Sequence, residues 1–285
     1  RRRFRELLYE NHSGRKIMLN YLKAELYRLV HSKSWIGFIL GSVFILFLSM
    51  IFGEMTIMGS GEGMLLDIGF QAKSYLSAVE PTFETVAQSC LGYTAFFWLV
   101  NVLFTATFFN KEYEVGTIKL SVAYGIDRRI IYFSKAMIIL VVSLFMYFAF
   151  ILGFFILETM QSGYLMSLAE FMQLLQWTVI NGLVLLAMNC LVIFLCGLIS
   201  NISVVTGVSC IYIFSGACVY LMSWASMETL FPLLRAYVYA NPMFYWMNIC
   251  SSNITRIIDY LPWYLLSSTL LLIIGCILVN RKEIK

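Results

Sequence analysis

The chain has 285 residues, of which 60% are hydrophobic and only 13% are charged, and its formal net charge is +4. A soluble domain carries about 25% charged residues, so this composition excludes a soluble protein and predicts one that crosses a membrane several times. The length accommodates about six helices of roughly 20 residues with modest loops, and no further nucleotide-binding domain of ordinary size.

The first 17 residues are basic and polar, and they precede Met18, which would make an ordinary start. They lack the short apolar core of a secretory signal. We therefore treat residues 1–17 as an N-terminal extension and residues 18–285 as a single transmembrane domain.

An amphipathic helix is predicted over residues 18–33, before the first membrane span. Its leucines at helical spacing are Leu22, Leu26 and Leu29, while Lys23, Glu25 and Arg28 are expected elsewhere on its surface. Such a helix is typical of one that lies in the membrane interface. An extension of the first membrane helix is the alternative.

Six apolar runs are each long enough to cross about 30 Å of hydrocarbon at about 1.5 Å per residue. They lie near residues 35–52, 91–109, 137–157, 174–199, 204–224 and 263–279. The fourth and fifth runs are separated only by residues 200–203, which predicts a tight helical hairpin. The sequence therefore predicts an all-α polytopic membrane protein with six transmembrane helices.

Two longer connections are expected on the outer side. Residues 53–90 contain several glycines and are predicted to form a flexible loop. Residues 225–262 are rich in proline and aromatic side chains, which favours short re-entrant helices before the last span. Cys90 and Cys250 both fall near this surface, and a disulfide between them is an open alternative.

Basic residues predict the orientation of the chain, because they accumulate on the cytoplasmic side of membrane proteins. Residues 1–33 carry nine of the twenty lysines and arginines, residues 110–135 carry five, and the tail after Val279 carries three. Both termini and the 110–135 connection are therefore expected in the cytoplasm.

The predicted spans carry no acidic or basic residue near a bilayer midplane, which argues against a transporter driven by ion gradients. The buried polar residues Asn101, Asn181 and Asn189 either form hydrogen bonds between helices or line a substrate path. The sequence holds no HExxH, GxSxG or GxxxxGK[ST] motif and no cluster of metal ligands. A non-catalytic chain without a metal or cofactor of its own is expected.

Two spans contain small residues four positions apart, a spacing that lets helix backbones approach closely in lipid. They are Gly37 and Gly41 in the first span, and Ser203 and Gly207 at the start of the fifth. Packing within the chain and packing between two copies are both compatible with this spacing.

The connection between spans two and three carries the most distinctive charged segment. Glu112 and Glu114 precede Val115-Gly116-Thr117, and apolar residues at Ile118, Leu120, Val122 and Tyr124 favour a short helix. Asp127 is placed to cap the helix that enters the membrane. Such a segment suits docking by a soluble protein, and a merely solvated loop is the alternative.

This segment, from Phe109 through Lys119 and on to Arg129, resembles the one in ABC-2 type transporter permeases in which an acidic residue precedes Gly-Thr. The six-span layout, the amphipathic start and the aromatic outer region resemble the same family. The resemblance implies a membrane subunit that pairs with a second permease, identical or paralogous, and with a cytosolic ATPase dimer that binds ATP and Mg²⁺.

The resemblance also implies roles for particular residues. The ATPase-coupling residues would be Glu112, Glu114, Val115, Gly116, Thr117, Ile118 and Lys119. The interface helix would carry Leu22, Leu26 and Leu29, and spans one and five would face the second permease through Gly37, Gly41, Ser203 and Gly207.

The function implied by the resemblance is export of an amphipathic or hydrophobic substrate, such as a peptide, an antibiotic or a lipid-like molecule, across a bacterial plasma membrane. Peptide-immunity, bacitracin-type resistance and drug exporters of this family have permeases of similar size. The alternative is a membrane sensor or anchoring module that binds a regulatory partner through the same loop and transports nothing.

Overall fold

A computed structural model of the chain describes residues 18, 20–51, 54–56, 71–73, 82–116, 118–123, 126–223, 232–250 and 255–281. These residues form helices together with one short two-stranded ribbon, so the all-α prediction is confirmed. The longer helices are α1 (20–30), α2 (Lys33–Ile51), α4 (Thr94–Val115), α6 (Arg128–Ser162), α7 (Leu168–Leu198), α8 (Ile202–Ser223) and α12 (Leu261–Arg281). The shorter ones are α3 (Phe83–Gly92), α5 (Ile118–Ala123), α9 (Pro232–Tyr239), α10 (Pro242–Cys250) and α11 (Thr255–Ile258).

Five stretches of helix are long and apolar enough to cross a membrane, and they coincide with the first, second, third, fourth and sixth predicted spans. They are Lys33–Met50, Ser89–Val115, Arg128–Met160, Leu168–Leu198 and Leu261–Val279. The predicted fifth span coincides with α8, whose described apolar part, Ile202–Gly216, is shorter. The chain is therefore a multi-pass membrane protein.

The third span is longer than predicted because its helix continues past the apolar run at both ends. Asp127 caps its start, where the backbone N–H of Arg129 donates a 3.0 Å hydrogen bond to the Asp127 side chain, as the sequence predicted. Gly163 ends α6 with φ +65°, a left-handed conformation that glycine adopts without steric cost. At 35 residues, α6 extends beyond the hydrocarbon, so its terminal charges can reach polar surroundings.

The predicted loop over residues 53–90 contains regular structure that the sequence analysis missed. β1 (Glu54–Thr56) and β2 (Gln71–Lys73) pair antiparallel, with Met55 opposite Ala72. At the end of the segment α3 begins at Phe83, eight residues before the predicted start of span two. Its apolar residues Val86, Ala87 and Cys90 recur at helical spacing and are fully buried, which explains why this stretch is helical.

α4 and α7 lie at the centre of the bundle, whereas α2 and α12 lie at its edge. In an apolar stretch of 18 residues in each span, 72% of the residues are buried for α4 and 61% for α7, but only 22% for α2 and for α12. α2 packs on α4 through Phe38 and Phe104, whose rings stack with centroids 4.4 Å apart. The exposed residues of α2 and α12 are largely apolar, as expected for helices that face lipid.

Gly41, Gly197 and Gly275 allow helices to approach closely inside this subunit. A Cβ on Gly41 would lie 2.7 Å from Val100 of α4, so Gly41 packs within the chain. Tyr132 of α6 is wedged between Gly197 of α7 and Gly275 of α12, where a Cβ on either glycine would crowd its ring. Small residues therefore bring α7 and α12 close to α6.

Short helices precede the last span, as the sequence predicted, and they pack against the rest of the protein. The Asn241 side chain donates a 2.6 Å hydrogen bond to the carbonyl of Tyr212 in α8. The Trp246 indole N–H donates a 3.1 Å bond to the carbonyl of Leu91 in α3. These bonds satisfy backbone groups at the edge of the bundle, while the re-entrant placement of α9–α11 in the bilayer stays a prediction. Cys90 has a free, buried thiol, and the Cys250 side chain lies outside the described residues.

Candidate functional site

Four charged side chains from three helices meet at the C-terminal end of α4. We call this group, formed by Glu25 and Arg28 of α1, Glu112 of α4 and Lys135 of α6, the charged cluster. Lys135 Nζ lies 2.7 Å from Glu112 Oε2, and Arg28 contacts the other Glu112 oxygen. Arg28 Nη1 also lies 3.2 Å from Glu25 Oε1. Glu112 therefore joins the interface helix, the second span and the third span.

The charged cluster is largely withdrawn from solvent. Glu25 and Lys135 are fully buried and Glu112 is 7% exposed, whereas the Arg28 side chain is 45% exposed. A buried charge is very costly unless it is paired, and here two carboxylates are matched by two cations. The ammonium group of Lys135 also lies 5.7 Å and 5.9 Å from the ring centroids of Phe108 and Phe109. Removing Glu112 would leave Lys135 without its paired carboxylate.

Tyr21 lies one helical turn before Glu25 on the buried face of α1. Burial, followed by the negative charge of Glu25, raises the pKa of the Tyr21 hydroxyl well above its usual value. Tyr21 is therefore neutral at physiological pH. Its ring packs with Ile118 of α5 and Ile131 of α6 in a small apolar cluster separate from the main core.

The end of α4 is also bonded to the connection between α7 and α8. The Asn110 amide donates a 3.0 Å hydrogen bond to the carbonyl of Ile199. One turn later, Glu114 Oε1 accepts a 3.2 Å hydrogen bond from the backbone N–H of Ile202, the first residue of α8. A carboxylate at a helix N-terminus satisfies a free N–H and interacts favourably with the helix dipole. The last two turns of α4 thus contact α1, α6 and the α7–α8 hairpin.

The short helix predicted after the acidic pair is present as α5, but the helix of the second span is longer than predicted. α4 continues as a helix to Val115, so Glu112 and Glu114 belong to the second span's own helix. Gly116 ends it with φ +76°, and α5 follows from Ile118. Ile118 is only 2% exposed because it packs on Tyr21 and Ile131. This apolar contact of α5 is therefore with its own subunit.

The remaining residues of the predicted coupling segment fall in different places. Val115 is 68% exposed at the end of α4 and is available to a partner. Thr117 and the side chain of Lys119 lie outside the described residues.

α1, the predicted interface helix, buries only part of the predicted leucine face. Leu29 is buried and Leu22 is half-buried, but Leu26 is 48% exposed. Glu25, which the sequence placed on the surface, is fully buried. The placement of Glu25 was wrong because its carboxylate is paired inside the charged cluster, which a hydrophobic pattern cannot reveal.

Asn101 and Asn189 form a hydrogen bond inside the bundle. The Asn101 amide nitrogen lies 2.7 Å from Asn189 Oδ1, and both residues are fully buried between α4 and α7. Thr105 donates a longer bond of 3.5 Å to the same oxygen. Asn181 is also fully buried, and among the described residues neither of its amide atoms has a hydrogen-bond partner. The first pair thus has the interhelical role that the sequence left open.

The small residues singled out in spans one and five differ in surroundings. Gly37 and Gly207 face open space, and Ser203 is exposed at the start of α8. Gly41 instead packs on Val100 within the subunit. Gly37, Ser203 and Gly207 are therefore accessible to a second chain, and Gly41 is not.

The sequence also matches a protein-family model. The model described as ABC-2 family transporter protein matches residues 21–216, which run from the first turns of α1 into α8. The match covers more than half of the chain and includes every residue of the charged cluster. This chain belongs to the ABC-2 transporter family.

Membership makes the chain a membrane permease component of an ABC transporter, and the family implies association with an ABC ATPase. Permeases of this family are transport components and are generally non-catalytic. No curated protein matches the sequence.

Proposed function

We propose that this ABC-2 permease forms the transmembrane path of an ATP-driven exporter whose energy comes from a separate ATPase chain. The substrate class we assign is amphipathic or hydrophobic, such as a peptide, an antibiotic or a lipid-like molecule. The Met- and aromatic-rich spans support this class, because such surfaces adapt to varied apolar partners. The ATPase, with ATP and Mg²⁺ bound to it, would supply the chemistry.

The observation that carries this proposal is the connectivity at the end of α4. Glu112 pairs with Arg28 and Lys135, and Asn110 and Glu114 on either side of it bind the α7–α8 hairpin. A force applied to this end reaches α1, α6, α7 and α8 through charged contacts and hydrogen bonds. This arrangement suits the transmission of movement from a cytosolic ATPase to the membrane helices.

The proposed orientation places α1, α5 and the end of α4 in the cytoplasm. Seventeen of the twenty lysines and arginines lie in residues 1–33, residues 110–135 and the tail after Val279, which supports this orientation. We place the protein in a bacterial plasma membrane, with both termini inside.

The proposed assembly contains two permeases. The exposed residues Ser203 and Gly207 offer a small surface on α8 where a second permease would pack. Asn181, with its unpartnered amide, is the residue we assign to the substrate path, because it is buried on α7 and transport would have to open the packing of that helix. Asn101 and Asn189 would then gate this path through the hydrogen bond that joins α4 and α7.

Purification of the full chain from its native membranes in a mild detergent tests the proposal. We expect a protein with a GxxxxGK[ST] motif to co-purify in equal amount. Val115→Arg, at an exposed site on the ATPase side, is expected to lower its recovery at least fivefold. Leu165→Arg is the matched control, because Leu165 is 90% exposed in the connection at the opposite end of the helices.

Two results would contradict the proposal. One is recovery of a regulatory protein such as a kinase with no ATPase, which would favour the sensor alternative. The other is equal loss of the ATPase in Val115→Arg and Leu165→Arg, which would remove the docking role of the α4 end.

A further inference from the structure

A pocket of about 400 Å³ lies at the turn between α1 and α2, beside the end of α4. Its lining includes the cationic side chains Arg28 and Lys111, together with His31, Ser32 and Ser34. Glu112 also lines it, but Lys135 and Arg28 already neutralise that carboxylate. Lys111 therefore gives the pocket a net positive charge, which favours an anionic ligand.

A second, apolar pocket of about 140 Å³ adjoins the first along the groove between α2 and α4. Ser34 lines both pockets, and Phe104 of the apolar pocket stacks on Phe108 of the polar one, with ring centroids 6.0 Å apart. The apolar pocket is open where Gly37 lacks a side chain, and Leu103 on its other wall is 52% exposed. The two pockets form one amphipathic site.

We propose that this site binds one anionic phospholipid from the leaflet on the α1 side, which is the inner leaflet in the orientation proposed above. The phosphate would lie beside Lys111 and Arg28, and the first part of an acyl chain would lie along Gly37, Val100 and Leu103. The polar half adjoins the interface helix and the apolar half lies on the membrane helices, so the order of the two halves matches a phospholipid in the bilayer.

The site has a mechanical consequence that rests on the proposed function. Arg28 and Glu112 line the polar pocket and also belong to the charged cluster at the end of α4. A bound phosphate would hold the turn between α1 and α2 against α4. The lipid would thus stabilise the contact through which ATPase movement reaches the interface helix.

Lipid binding can be measured without the ATPase, so its failure is distinguishable from failure of the proposed function. The full chain, delipidated in a neutral detergent, is titrated with dioleoyl phosphatidylglycerol and separately with dioleoyl phosphatidylcholine. Native mass spectrometry counts the lipids bound to each chain. We expect one saturable phosphatidylglycerol per chain and at least fivefold weaker binding of phosphatidylcholine.

Two variants address the two halves of the site. Lys111→Gln removes the exposed charge and is expected to weaken phosphatidylglycerol binding about fivefold. Gly37→Leu fills the apolar half and is expected to weaken binding of both lipids. The matched controls are Lys23→Gln, on another face of α1, and Ala149→Leu, at an exposed small residue of α6 outside both pockets. Both controls are expected to bind like the wild type.

The proposal is overturned if phosphatidylcholine binds as tightly as phosphatidylglycerol, or if Lys111→Gln binds like the wild type. It is also overturned if Lys23→Gln weakens binding as much as Lys111→Gln, since that result would show bulk attraction to charge. Lys111 is exposed, so Lys111→Gln decides the question even if Gly37→Leu does not fold.

Discussion

Lys135 Nζ of the third span lies 2.7 Å from Glu112 Oε2 at the end of the second span. Both residues are buried, and Arg28 of α1 contacts the same carboxylate. Together these contacts join α1, α4 and α6 at the C-terminal end of α4.

Glu112→Gln is expected to destabilise the protein by about 3 kcal/mol, because it leaves Lys135 buried without its counter-charge. Lys135→Met is expected to destabilise it as well, since Glu112 then keeps only the half-exposed Arg28. The double variant Glu112→Gln/Lys135→Met is expected to recover part of the loss, because no buried ammonium remains. Thermal unfolding in detergent measures all three, and a strictly additive double variant would show that the two residues are not coupled.

Gly116→Ala is expected to cost about 1 kcal/mol, because Gly116 has φ +76° and a Cβ is strained in that conformation. Gly116→Asn is expected to cost less, since asparagine tolerates the left-handed region. Gly37→Ala is the matched control, because Gly37 has open space and no positive φ. Unfolding midpoints of the three variants test this order, and equal stability of Gly116→Ala and wild type would contradict it.

Gly275→Ala is expected to lower stability by about 1–3 kcal/mol, because the new methyl group would overlap the Tyr132 hydroxyl. Tyr132→Phe removes that oxygen, so Gly275→Ala/Tyr132→Phe is expected to be more stable than Gly275→Ala alone. The measurement is again the unfolding midpoint of the purified chain. A double variant no more stable than Gly275→Ala would mean that the hydroxyl is not the source of the clash.

Much of this architecture could be predicted from the sequence. The apolar runs predicted the positions of the membrane helices, and Asp127 predicted the start of α6. Both features depend on residues that are close together in the chain. The charged cluster could not be predicted, since Glu25, Glu112 and Lys135 are far apart in sequence. An amphipathic pattern assigns Glu25 to the surface, and only the packing of α1 on the other helices shows that its carboxylate is buried beside Arg28.

The start of α3 and the use of Gly41 were missed for a related reason. Val86 and Cys90 lie in a segment whose glycines and charges suggested a loop, although they are buried against the bundle. Gly41 lies four residues after Gly37, and this spacing is compatible with packing within one chain or between two chains. Only the position of Val100 distinguishes the two possibilities.

Asn101→Ala is expected to destabilise the bundle by about 0.6–1.7 kcal/mol, the range measured for hydrogen bonds between membrane helices. It removes the donor that lies 2.7 Å from Asn189 Oδ1 and leaves that oxygen with the 3.5 Å bond from Thr105. Asn181→Ala is the comparison, because no hydrogen bond is recorded for the Asn181 amide among the described residues. We expect a smaller stability loss for Asn181→Ala, and an equal or larger loss would contradict this difference.

The most direct test of the central claim is the ATP hydrolysis rate of the permease–ATPase complex carrying Glu114→Lys. Wild-type complex in lipid nanodiscs is first screened with a panel of peptide antibiotics, and a compound that stimulates hydrolysis is then used with the variant. Glu114→Lys puts a positive charge against the N-terminus of α8, where Glu114 now accepts a bond from Ile202. Our account predicts that the variant inserts and co-purifies with the ATPase but loses at least 90% of the stimulation. Normal stimulation in the assembled variant would contradict the claim that the end of α4 couples the ATPase to the membrane helices.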